Sequence, residues 1–147
     1  MNRMLTDTMK RALAIDYGSK RIGVAISDPF RLFPSITITL KNDKNIFSEL
    51  LKIISEKNID KIILGYPYDD SRATTQLAKE ILKFKNQLEL KSKLSIDLWD
   101  EQLTSKMAVS RIISSVTKKS KRRNKSLIDA QSAAIILEEY LKSLEDK

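Results

Sequence analysis

Hydrophobic and polar positions change their period several times along this chain. Lys10–Ile15 is an apolar run that ends in Asp16, and Ile22–Ser27 is a second run. The segment between them holds Gly18, so the pair predicts a β-hairpin. Pro34–Leu40 alternates β-branched residues with period two and predicts a third strand on the same meander. The period then lengthens. Ile46, Phe47, Leu50, Leu51, Ile53 and Ile54 recur at helical spacing, predicting a helix over 44–57. Ile59–Leu64, apolar apart from Asp60 and Lys61 and closed by Gly65, predicts a strand buried on both faces. A second helix is predicted over Ala73–Leu88, with Leu77, Ala78, Ile81, Leu82 and Phe84 facing the core. Leu94–Trp99 predicts a strand, Leu103–Val116 a third helix and Leu127–Leu144 a last one.

The order β-β-β-α-β-α-β-α-α implies an α/β fold: a five-stranded mixed sheet flanked by helices on both faces. That is the arrangement of a ribonuclease H-like fold. With 147 residues, no internal repeat and no Pro/Gly-rich linker, a single domain over 1–147 is expected, with 1–9 as a loose tail.

Composition narrows the chemistry. There is no cysteine and no histidine. Thiol nucleophiles, zinc thiolates and Ser-His-Asp or Cys-His mechanisms are therefore excluded. Carboxylates, lysines and hydroxyls remain, and carboxylates suit hard cations such as Mg2+ or Mn2+. No apolar run approaches the length of a membrane span, and the expectation is a soluble cytoplasmic protein with no membrane partner. The net charge of +8 points to a polyanion, either nucleic acid or an acidic membrane surface. Thr117–Lys125 holds six basic residues and no acid, which leaves +2 for the other 138 residues. Lys118, Lys119, Lys121, Arg122, Arg123 and Lys125 would form an arm gripping the sugar-phosphate backbone, the plainer reading being a solvated loop.

Three acids stand where acids are costly. Asp16 ends a run expected to be a central strand. Glu101, with Asp100, follows the strand ending at Trp99, at the strand end where α/β sheets build their sites. Asp129 opens the last helix among small and apolar residues, and Ala130, Ala133 and Ala134 would let that helix approach the sheet. Each has a plain alternative: Asp16 as a turn former, Glu101 as an acid at a helix N-terminus, Asp129 as N3 of a capping box with Ser126 as N-cap. Brought together, the three could hold metal against a phosphodiester. Lys20 and Arg21, in the turn beside Asp16, are candidate phosphate contacts or ordinary turn cations. Gly18 and Gly23 suit places where a Cβ is excluded. Thr104 and Ser105 suit a cap on the third helix, and Trp99 a place in the core.

Four segments in order resemble the YqgF/RuvX family of Holliday-junction-resolvase-like proteins. They are Asp16–Asp28 (DYGSKRIGVAISD), Ile63–Pro67 (ILGYP), Trp99–Ser105 (WDEQLTS) and Leu127–Leu137 (LIDAQSAAIIL). The resemblance spans about residues 10–142. It implies a ribonuclease H-like, divalent-metal nuclease that processes the 5′ end of pre-16S rRNA, with RNA, branched DNA or both as partner. It places the catalytic and metal-binding acids on Asp16, Glu101 and Asp129. The chain departs from the family's pattern at Gln102, where an arginine is usual, and at Tyr68–Arg72, where Asn and Gly are usual. Two other readings remain open: an ATP-using phosphotransferase of the actin and sugar-kinase type, which needs two lobes, and a nucleic-acid-binding assembly or transcription factor with little cleavage activity. A dimer would suit a junction resolvase.

Overall fold

The computed structural model describes residues 9–68, 76–101, 108, 110–111 and 125–145. Five strands form one sheet: β1 (Arg11–Tyr17), β2 (Arg21–Ser27), β3 (Pro34–Lys41), β4 (Ile59–Tyr66) and β5 (Ile96–Asp100). Their spatial order is β3-β2-β1-β4-β5. The meander β1-β2-β3 is antiparallel, while β4 runs parallel to β1 and β5 parallel to β4. Helices α1 (Ile46–Glu56), α2 (Gln76–Ser92) and α3 (Lys125–Glu145) complete the described elements. This is the expected mixed five-stranded sheet.

Strand periodicity sorts the core into two halves. Leu13, Ile15, Ile22, Val24, Ile26, Ile62, Leu64 and Ile96 point to one face. There they meet Ile46 and Leu50 of α1 and Ile81, Phe84 and Leu88 of α2. Burying one such aliphatic side chain is worth about 1.5–3 kcal/mol, so this face supplies most of the hydrophobic stabilisation. The other face is lined by Ala12, Ala14, Ala25 and Ile63 and takes α3 through Ala133, Ala134, Ile136, Leu137, Tyr140 and Leu141. Small residues on both partners bring α3 close to the sheet, as its alanines predicted.

Local chemistry sets the boundaries. After α1, Lys57 N–H donates to Ile53 O at 2.9 Å, and Asn58 turns the chain at φ 56° directly into β4. An asparagine tolerates this left-handed position. Several expectations need correction. Leu77 and Leu82 are exposed, and Leu88 is buried in their stead, because the inward stripe of α2 runs Ala78–Ile81–Phe84–Leu88 at three- and four-residue steps. β1 continues through Asp16 to Tyr17, since β2 pairs with it from Leu13 to Tyr17. α3 begins at Lys125, so Ser126 lies inside its first turn and is not the N-cap; its carbonyl accepts a 2.6 Å hydrogen bond from Thr39 Oγ1.

Of the expected third helix, Ala108, Ser110 and Arg111 are helical, and the remainder, with the proposed caps Thr104 and Ser105, lies outside the described residues. So do the loose tail over 1–8, Ala73, the departures at Gln102 and 69–72, and Lys118, Lys119, Lys121, Arg122 and Arg123. Lys125 is described only as the first residue of α3. Among the described residues no helix is long and apolar enough to cross a membrane.

Candidate metal and nucleic-acid site

Asp16 interrupts the small and apolar lining that faces α3 on β1. On β2 its register partner is Gly23. On β4 the last register pair is Ile15 with Leu64, so the next residue, Gly65, flanks Asp16 on the other side. Asp16 thus has a glycine for a neighbour on both sides, and each glycine leaves room for another acid. A Cβ on Gly23 would collide with the backbone carbonyl of Asp129, where the first turns of α3 cross β2. A Cβ on Gly65 would collide with Glu101 Oε2 and lie 2.8 Å from Ile136 Cδ1. The backbone also guides Glu101: its N–H donates to Tyr66 O at 3.2 Å, which holds the end of β5 against the end of β4.

The three predicted acids therefore converge. Part of the Asp16 surface meets solvent, but its carboxyl is packed round by protein. That burial pushes its pKa well above the usual carboxylate range, and the charge of Glu101, a hydrogen bond with Glu101 and the charge of Asp129 raise it further. Two carboxyl groups hydrogen-bond to each other only by sharing a proton. Asp16 and Glu101 therefore lie within hydrogen-bond reach of each other, where burial and the neighbouring acids favour the protonated form of Asp16, with Asp129 close enough to be felt through its charge. Asp129 itself is turned onto Arg21, whose Nε lies 2.9 Å from Asp129 Oδ2. Among the described residues, no three acids are already set at distances that would hold a metal ion. The donor set nevertheless fits a hard divalent cation. It is all oxygen, and its central member sits where only a proton or a cation relieves the crowding of negative charge.

The cations divide. Lys20 is exposed on the β1–β2 turn. Arg21, a candidate phosphate contact or turn cation, is the ion-pair partner of Asp129 in this state. The turn is tight: a Cβ on Gly18 would lie 2.5 Å from Arg21 O. Asp100 is exposed at the end of β5. Trp99 packs edge-on against Tyr140 with ring centroids 5.7 Å apart, and its Nε1–H donates to Glu139 at 3.2 Å, so it belongs to the core as expected.

Sequence reasoning missed two contributors. Gly65 was read as a strand terminator, yet it makes the space that Glu101 fills. The Arg21–Asp129 pair joins positions 108 residues apart, and nothing local signals it.

The family profile described as "RuvX: Holliday junction resolvase" matches residues 10–143. A relative from Flavobacterium psychrophilum, named "Putative pre-16S rRNA nuclease", is 37% identical over 137 residues, covering 90% of this chain and 97% of its own. One of the same name from Rickettsia conorii is 38% identical over 136 residues, covering 91% and 87%. Among solved structures, Thermus thermophilus RuvC in complex with Holliday junction substrate superposes with a TM-score of 0.58 at 12% identity, over 92% of this chain and 96% of that one. The Fowlpox virus resolvase in complex with Holliday junction DNA gives 0.57 at 14% identity, over 91% and 98%. At such identities these likenesses establish the fold, which is ribonuclease H-like. The profile match and the close, nearly full-length relatives establish more: the chain belongs to the RuvX family.

Proposed function

We propose that this protein is a divalent-metal-dependent nuclease that hydrolyses phosphodiester bonds in structured nucleic acid, with pre-16S rRNA as the substrate that its relatives' name suggests. The observation that carries this reading is the meeting of Asp16, Glu101 and Asp129 beside two glycines, where burial and crowded negative charge on Asp16 suit a cation. Such a protein would act in the cytoplasm, where ribosomal RNA is processed.

Asp16, Glu101 and Asp129 would hold Mg2+ or Mn2+. Bound there, the ion would supply charge stabilisation at the phosphate and a lowered pKa for an attacking water. The chain's own residues do the rest. Asp16 and Glu101 would present their carboxylate oxygens to the ion. Asp129 would turn from Arg21 to the ion, and the guanidinium so released would fork onto a phosphate oxygen pair. Lys20, beside it on the turn, adds a second phosphate contact. The basic segment Lys118, Lys119, Lys121, Arg122, Arg123 and Lys125 would grip the backbone without regard to sequence.

The test compares wild type with Asp16→Asn on a structured RNA carrying a 5′ extension and on a four-way DNA junction, each with Mg2+, Mn2+ or chelator. Cleavage by wild type only, and only with metal, supports the reading. Binding by both proteins with cleavage by neither would overturn it in favour of a binding factor. The preferred substrate decides between RNA processing and junction resolution.

A further inference from the structure

The sheet's other face carries a second concavity at the same edge as the acids, and nothing in the proposed chemistry uses it. Tyr17 follows Asp16 on β1, so its side chain leaves the sheet on the opposite face. There it lines a cavity of about 410 Å³ between the start of α1 and the middle of α2. That volume lies in the range of small-molecule sites. The apolar wall is aromatic. Tyr17 and Phe84 meet with ring centroids 5.0 Å apart, and Phe84 stacks on Phe47 at 5.4 Å and 24°. The opposite lining is polar and mixed. Asn42 and Gln87 offer amides, Lys44 and Lys83 donors, and Asp43 and Glu80 acceptors. Lys91 brings one more cation, its ammonium 5.5 Å from the centre of the Phe47 ring.

This lining selects a ligand class. Charges of both signs around the rim do not suit a bare polyanion. An aromatic wall facing amides, donors and acceptors suits a flat heterocycle with both kinds of hydrogen-bonding group on its edge, as a nucleobase has. The cavity is also tied to the cleft. Asn42 N–H donates to Lys20 O at 2.9 Å, and its side-chain amide donates to Gly18 O at 2.8 Å. The β1–β2 turn is therefore the rim shared by the acids on one face and the cavity on the other. A strand leaving the acids over this turn passes Lys20 and meets the cavity next.

Resting on the nuclease reading above, we infer that this cavity is a subsite for one unpaired nucleobase of the substrate, next to the strand held at Asp16. It would stack on Tyr17 and Phe47, with its edge read by Asn42 and Gln87, while Lys91 or Lys44 meets the adjoining phosphate. Substrates with a single-stranded extension are then preferred over blunt duplexes.

The experiment uses the full chain in chelator, so that binding is read without cleavage. The probes are a fluorescent blunt RNA duplex and the same duplex with a short 5′ single-stranded extension carrying 4-thiouridine at each unpaired position in turn. The expected result is about tenfold tighter binding of the extended probe, the order of one base–aromatic stack. Cross-links from one unpaired position should map to the peptides around Tyr17, Phe47 or 80–87. Phe47→Ala should abolish the preference. Because Phe47 also packs on Phe84, the exposed rim variant Gln87→Ala, which leaves the aromatic core alone, should weaken it several-fold. Equal binding of both probes by wild type, or cross-links confined to α3, would overturn the subsite and leave the nuclease reading standing. Failure to bind either probe would overturn both.

Discussion

The backbone carbonyl of Asp129 occupies the place that a side chain on Gly23 would need. Gly23 is also the strand partner of Asp16. One missing methyl group thus sets how deeply α3 sits and how near its acid comes to the central one.

The two glycines beside Asp16 should respond differently to alanine. At Gly23 the obstacle is backbone, so α3 must move as a whole. Gly23→Ala should cost about 3 kcal/mol or more, at the upper end for overpacking, and lower the melting temperature by roughly 6–12 °C. At Gly65 the obstacles are the ends of the Glu101 and Ile136 side chains, which can swing aside. Gly65→Ala should melt within a few degrees of wild type and still lose cleavage. Calorimetry and a cleavage assay on the same two preparations check this contrast.

Asp16 should be a stability cost in the metal-free protein. Its pKa is raised by burial and by its acidic neighbours, so the fold favours its protonated form. That contribution is complete below about pH 4, the unfolded value, and is lost as pH rises through the raised value. At neutral pH the fold bears the cost of crowded negative charge. Asp16→Asn should therefore raise the melting temperature by about 3 °C or more in chelator. An unchanged or lower value would show that Asp16 is not strained by its surroundings.

Divalent metal should act on the same acids. Mn2+ should raise the melting temperature of wild type and leave Asp16→Asn unmoved, since binding to the folded state stabilises it by mass action. Arg21→Ala removes the present partner of Asp129, a half-exposed pair worth about 1 kcal/mol or less. It should melt slightly lower without metal, show a larger rise with Mn2+, and bind nucleic acid more weakly. A smaller rise would mean that Arg21 helps to assemble the site in place of competing with it.

At the far end of the sheet, Asp28 organises the β2–β3 connection. Its Oδ1 accepts from Leu32 N–H at 2.7 Å and Phe33 N–H at 2.9 Å, and its Oδ2 from Phe30 N–H at 3.1 Å. Burial pushes its pKa up, but the hydrogen bonds from Phe33, Leu32 and Phe30 outweigh this and leave it below the usual value. Its stabilisation is present above about pH 4 and fades as pH falls through the lower folded value. Asp28→Ala should cost about 2–4 kcal/mol at pH 7 and flatten the acid limb of a stability-against-pH profile.

Much of this protein is written in its periodicities. The apolar runs at 10–15 and 22–27, the period-two alternation at 34–40 and the helical spacing over 44–57 arise from which residues must face a common interior, so strand and helix follow from the residues themselves. The three acids were legible for a related reason: a charge such as Asp16 at the end of a buried strand is costly, and its presence asks for a partner. What the partner is, and how the charge is balanced, belongs to the packed state alone. The nearness of Glu101 to Asp16, the cleared space over Gly65, the seat of α3 on Gly23 and the Arg21–Asp129 pair all join residues far apart in the chain. Such juxtapositions, the approach of Glu101 to Asp16 among them, depend on the distance between packed surfaces, which a linear pattern does not encode. Leu77 and Leu82 make the same point, because an apolar residue on a helix becomes core only where another element arrives to cover it.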